Sequence, residues 1–141
     1  MQSIYMSQIF NAPQEEIFEF LSNHNNLGKL LHANITRIKD AEEDNLNGIG
    51  SVRSIRMGIE ILQETVTDFE APDYIVYEIT SKAPINFHQG RLEFTTLEEG
   101  KTQLIYTIDL ETKFPFIDNG ILFILKTIIS HGLKNLAERY Q

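Results

Sequence analysis

Histidine is the side chain that most readily gains and loses a proton near neutral pH, and this chain has four: His24, His32, His88 and His131. None forms an HxxxH or HxH pair, and no run of carboxylates accompanies them, so a metal site is not indicated. Ser130 and His131 are adjacent, yet neighbours on a helix do not face each other, and no Asp or Glu stands ready to orient the imidazole. A hydrolase triad is therefore not indicated. His24 falls in a turn and reads as solvent-facing. His32 ends a short helix, where an imidazole can bond free carbonyls. His88 is different. It lies two residues before Gly90 and four before Leu92, and in a strand it shares their face. If that face is concave, His88 meets a cavity as a ligand contact or an acid–base group. The plainer reading is a structural histidine.

Arginine and tyrosine supply the other candidates. Arg53 and Arg56 are three residues apart, so they point to opposite faces of a strand. One pointing inward would need a partner, for which Glu64, Glu78 and Asp109 are available. The simpler reading puts both on the outer face or rim. Tyr77 and Tyr106 alternate with apolar residues. Their rings belong to a core, and a phenol turned into a cavity would seek a hydrogen bond from protein or ligand. The stretch "GIGSVR" (Gly48–Arg53) is no dinucleotide fingerprint, because Arg occupies the third glycine position and a strand follows. "AEEDN" lacks EF-hand spacing and reads as a solvated loop.

The elements that must hold these residues follow from periodicity. Ser3–Phe10 is β-branched and aromatic, a first strand. Asn11 and Pro13 then open a helix with Glu15 and Glu16 in its first turn, where the helix dipole favours them. Leu27, Leu30 and Leu31 mark a second short helix. From Asn34 to Glu111 six strands recur at close intervals with short turns. One turn falls near Met57-Gly58, and "EEG" closes the last hairpin. Such spacing favours antiparallel pairing over βαβ units. A long helix closes the chain. Its start is expected near Asp118, whose side chain could cap it. Ile121, Leu125, Ile129, Leu133, Leu136 and Tyr140 recur along it at three- or four-residue intervals.

Composition sets limits. A chain of 141 residues with a 42% hydrophobic fraction suits one domain, residues 1–141, with a real core. The absence of cysteine excludes a disulfide scaffold and a thiolate nucleophile, and fits a cytoplasmic protein. The net charge of −8 disfavours nucleic acid and anionic lipid as partners. The N-terminus does not read as a signal peptide. The apolar segment "KFPFIDNGILFILKTIISHGL" contains Pro115, Asp118 and Asn119. Its cleanest run, "GILFIL", falls far short of the roughly 20 residues of a spanning helix, so no transmembrane segment is expected.

In this order the elements resemble the START/Bet v 1-like (SRPBCC) superfamily, and its polyketide cyclase/dehydrase-like branch in particular. Four stretches carry the resemblance. "NAPQEEIFEFLS" resembles that branch's first helix, and "GIGSVR" its Gly-x-Gly-x-x-Arg start to the third strand. "EAPDYIVYEI" resembles its Pro-x-x-x-x-Tyr strand start, with Pro72 and Tyr77. "GRLEF…EEGKTQLIYTIDLE" resembles its last hairpin. The likeness runs from Ser3 to Tyr140.

The resemblance implies an α+β helix-grip fold of order β-α-α-β6-α. A curved seven-stranded antiparallel sheet wraps a long C-terminal helix, and a cavity lies between them. It implies binding or carriage of a hydrophobic small molecule of the lipid, quinone or aromatic polyketide class, with no cofactor. The expected cavity residues are Tyr77, His88, Leu92, Tyr106, Phe114, Phe116, Phe123 and Ile124, with Phe114 and Phe116 at its mouth. A second reading is a cyclase/dehydratase-like enzyme drawing its acid–base groups from His88, Arg56, Tyr77 and Tyr106. A third is an interaction module, monomer or weak homodimer, using apolar surface around Phe114, Phe116 and Phe123.

Overall fold

A computed structural model describes every residue except Met1, His32, Glu43, Gly58, Lys82, Glu99 and Gln141; the side chains of Leu31, Met57, Ile59, Glu60 and Ile61 are likewise outside the description. The role expected of His32 thus lies outside the described residues.

The elements run β1 (Gln2–Phe10), α1 (Gln14–Ser22), α2 (His24–Leu31), β2 (Asn34–Lys39), β3 (Val52–Met57), β4 (Ile59–Glu70), β5 (Tyr74–Ile79), β6 (Ile85–Glu98), β7 (Lys101–Thr112) and α3 (Pro115–Glu138). The strands form one antiparallel sheet of order β1-β7-β6-β5-β4-β3-β2, so β1 crosses to the far edge and α1 and α2 make the return. This is the helix-grip arrangement.

Strict alternation selects the faces. On β7 the even-numbered residues Leu104, Tyr106, Ile108 and Leu110 are buried while the odd-numbered ones are partly exposed. Their cross-strand partners on β6 are Phe94, Leu92, Gly90 and His88, in that order, and those on β1 include Met6 and Ile4. Ile17, Phe18 and Leu21 of α1 and Leu122, Ile129, Leu133 and Leu136 of α3 close on this face to form one core. Phe18 meets Phe69 and Phe94 edge-on, with centroids 5.4 and 5.2 Å apart.

The short helices are fixed locally. Pro13 stands just before α1, and Glu15 and Glu16 occupy its first turn. The Asn23 side chain accepts from the N–H groups of Asn25 and Asn26, which starts α2 at His24. Gly28 lets α2 lie against β2: a Cβ there would sit 2.9 Å from the Ala33 carbonyl oxygen and 3.0 Å from the Ile35 nitrogen.

The last helix departs from expectation at its start. It begins at Pro115, whose fixed φ suits the first helical position. Asp118 does not cap it. Its buried carboxylate accepts from the backbone N–H of Thr112, at 3.3 Å, and from the Thr112 hydroxyl, which ties the helix to the end of β7. α3 packs on β1, β7 and α2. By length and composition alone it could cross a membrane, with a mean hydropathy of 1.3 over its most apolar window. One face, however, including Asp118, is buried against protein, so α3 is a core helix.

Candidate functional site

Arg53 is buried on β3. The β3–β4 ladder places it opposite Glu64, which is buried as well. Directly opposed residues share a face. The guanidinium donates from Nε and Nη2 to one Glu64 oxygen, at 3.0 and 2.8 Å. Its carbon lies 3.7 Å from the centre of the Tyr77 ring, a desolvated cation–π contact. The other Glu64 oxygen faces His88 Nε2 at 3.6 Å. The His24 ring meets Tyr77 edge-on at 5.8 Å between centroids. Tyr106, buried on β7, completes the group within electrostatic reach of Arg53.

Six elements supply this cluster. β3 and β4 give the ion pair, β5 gives Tyr77, β6 and β7 give His88 and Tyr106, and the first residue of α2 brings His24 over them. Gly90, paired with Tyr77 on one side and Ile108 on the other, leaves the floor low: a Cβ there would be 4.0 Å from both the His88 and Tyr106 rings.

The electrostatics follow from burial and the single carboxylate. Desolvation pushes the His24 pKa down to about 3, with Arg53 and Arg37 adding to the effect. Desolvation also lowers the pKa of His88, against the pull of Glu64. Burial raises the pKa of Tyr77 and of Tyr106, in both cases opposed by Arg53. Burial works against the charge on Arg53, but Glu64 and the two tyrosines outweigh it and the pKa is raised. Near neutral pH the cluster therefore holds one positive and one negative charge, flanked by neutral rings.

The cluster is rich in polar atoms without protein partners. Arg53 Nη1, Tyr77 OH, His88 Nδ1 and both ring nitrogens of His24 are buried and unbonded. Native proteins satisfy most such groups, and each left unpaired costs roughly 1–3 kcal/mol. A cavity of about 130 Å³ adjoins the cluster at His88, with Glu78, Ser81, Ile85 and Phe87 among its walls. A larger open groove of about 650 Å³ runs between α2 and β2, past Asn25, Lys29 and Thr36.

Among the residues singled out from sequence, Tyr77, His88, Leu92 and Tyr106 come together on the concave face. Phe114, Phe116, Phe123 and Ile124 do not join them. They face solvent, at 48%, 85%, 71% and 59% exposure, because the opposite side of α3 is the one packed on the sheet. Arg56, the arginine named for acid–base work, is exposed, and Arg53 turns inward. His24, expected in solvent, is fully buried. His24 is thus the member that sequence reading passed over, whereas an inward arginine paired with Glu64 stood among its alternatives without the choice of Arg53 over Arg56. A hairpin counted symmetrically about Met57 and Ile59 would put Arg53 opposite Gln63. The bulge between Ile55 and Arg56 shifts the ladder by one residue and brings Glu64 to the same face. Among the described residues no group of three or more His, Asp or Glu side chains is arranged to hold a metal ion.

Comparison with solved structures finds the same fold in proteins of low sequence identity. XoxI from Bacillus cereus superposes with a TM-score of 0.76 at 17% identity, covering 99% of this chain and 96% of that one. The Aha1 dimer from Colwellia psychrerythraea gives 0.74 at 17%, over 99% and 96%. Norcoclaurine synthase from Thalictrum flavum, in complex with dopamine and hydroxybenzaldehyde, gives 0.67 at 10%, over 99% and 88%. No curated protein matches the sequence. The family described as polyketide cyclase / dehydrase and lipid transport matches over residues 1–141, and with the helix-grip architecture in place, the chain belongs to that family, within the Bet v 1-like superfamily.

Proposed function

We propose that the protein binds an apolar small molecule with an uncharged oxygen group, a carbonyl or phenol, whose polar end is met by Arg53, Tyr77 and His88. The observation that carries this reading is the buried Arg53–Glu64 pair ringed by unpartnered polar atoms. Apolar sites fix their ligands with a few placed polar groups of this kind. Arg53 Nη1 and the Tyr77 hydroxyl are donors awaiting an acceptor. Glu64 already balances the arginine, so a fatty-acid carboxylate would arrive as an uncompensated buried charge, whereas a quinone or an aromatic polyketide would not. The phenol and aldehyde oxygens of the ligands in the related norcoclaurine synthase structure are of the same chemical kind. Native mass spectrometry of the purified protein, followed by calorimetric titration with a naphthoquinone, a hydroxylated anthraquinone and a fatty acid, tests the reading. Binding of the neutral aromatics in preference to the fatty acid is expected. A preference for the fatty acid would overturn it.

A second reading, cyclase- or dehydratase-like catalysis, is favoured by one detail. His88 borders the cavity, presents Nε2 to Glu64 at 3.6 Å and holds a buried Nδ1 without a protein partner. A neutral imidazole oriented by a carboxylate is the arrangement of a general base. With a genuine substrate in hand, His88→Gln is expected to lower kcat at least tenfold with little change in KM. An unchanged kcat would leave the protein a binder.

A further inference from the structure

The solvent side of α3 is unlike the rest of the surface. Phe116, Ile117, Phe123, Ile124 and Ile128 are all exposed, Phe116 at 85% and Phe123 at 71%. Phe116 and Phe123, like Ile117 and Ile124, lie seven residues apart, and Ile124 and Ile128 four, which places all five in one outward stripe over the first four turns of the helix, opposite Leu122, Ile129 and Leu133 in the core. Charge is sorted as well. The chain has 20 acidic residues against 12 basic ones, yet between Lys113 and Ala137 the only acid is Asp118, buried against Thr112. Lys113, Lys126, Lys134 and His131 are exposed over the same stretch. At helical spacing Lys134 continues the line of Phe116 and Phe123, and Lys126 borders it. Apolar side chains bordered by lysines, with the one exposed acid, Glu138, confined to the last turn of the helix, form the kind of face that lies in a membrane interface, where lysine stems reach outward to anionic headgroups.

We propose that this face of α3 docks on an anionic lipid surface. The −8 net charge would hold the molecule off such a surface as a whole, but attraction within a Debye length is set by the residues that face it, and here three lysines outnumber the one exposed acid, Glu138. A second copy of the chain fits less well, because a two-fold contact would bring together two faces that each carry Lys113, Lys126 and Lys134 with Glu138 as the one exposed carboxylate of the helix to pair them. The inference uses none of the cluster residues around Arg53, so it stands or falls separately from the ligand proposal.

Vesicle flotation of the full chain provides the test, with phosphatidylcholine alone and with a phosphatidylcholine–phosphatidylglycerol mixture. Expected is capture by the anionic vesicles only, weakened by added salt. Phe116→Ser with Phe123→Ser is expected to reduce partitioning by roughly tenfold or more. Lys126→Glu with Lys134→Glu is expected to lower it by about fivefold per lysine. These side chains are exposed, so both variants are expected to keep the parent melting temperature, which is checked alongside. Three results would overturn the proposal: no flotation with either vesicle, equal flotation of parent and phenylalanine variant, or a stable dimer by light scattering that the phenylalanine substitutions abolish while vesicle binding stays absent.

Discussion

At the scale of single residues, the Tyr77 hydroxyl is the cleanest probe of the cluster. It is buried and unpartnered, while its ring is needed under Arg53 and beside His24. Tyr77→Phe keeps the ring and removes the unpaired group. Thermodynamic stability is expected to hold or rise by up to about 1 kcal/mol in urea titrations. Affinity for an oxygen-bearing aromatic is expected to fall roughly five- to tenfold, as one hydrogen bond is lost. His24 sets the response to acid. The unfolded chain takes up a proton near 6.5, but the folded chain resists until about 3. Stability from the neutral imidazole is therefore full above pH 6.5 and falls as pH drops through the interval toward 3. At pH 5 the loss is about 2 kcal/mol from this residue alone. Urea melts at pH 7.5 and pH 5 measure it, and His24→Phe is expected to flatten part of the acid limb. An equally steep limb in the variant would assign the effect elsewhere. The bulge at Arg56 shows why the cluster was only half legible. Tyr77, His88 and Tyr106 declared themselves by alternation, which needs only a local period. Arg53 and Glu64 needed the register, and one extra residue in a strand reverses every face beyond it.

At the scale of elements, the contact between α2 and β2 rests on one glycine. Gly28→Ala would place a methyl 2.9 Å from a backbone oxygen and 3.0 Å from a backbone nitrogen, neither of which can step aside like a flexible side chain. A loss of about 1–3 kcal/mol is expected from urea unfolding, together with a displaced α2 and a weaker acid response, because His24 heads that helix. A variant as stable as the parent would show that the close approach relaxes freely. The elements themselves were legible in order and in type. Their ends were not always so. Asp118 looked like a cap because acidic residues favour helix starts, yet Pro115 begins the helix and Asp118 turns to Thr112 instead. Capping preference is a local bias of about 1 kcal/mol, and a tertiary hydrogen bond of equal worth overrides it.

At the scale of the molecule, the sheet and α3 form a frame that a bound ligand would brace. A small molecule present at a hundred times its Kd adds about 2.7 kcal/mol to stability, roughly 5–10 °C in melting temperature for a chain of this size. Scanning fluorimetry across the compounds named above is expected to rank them in the order of their calorimetric affinities. A ligand that binds without raising the transition would be binding the unfolded state as well, or a surface away from the core. The opposite faces of α3 divide the work at this scale. One completes the core, and the other presents Phe116, Phe123 and Ile124 to solvent.

Periods of two and of three to four residues determined the order of strands and helices, the antiparallel pairing and the apolar character of the last helix, since these depend on neighbours a few positions away. The match of four short stretches in the right order was enough to point to the family. The tertiary structure decided which arginine is buried, that His24 is inside, and that Phe116 and Phe123 are outside. Each of those outcomes depends on register, on a bulge or on the rotation of a helix about its own axis. Such long-range geometry sets the face a side chain presents without changing the local pattern from which a sequence is read.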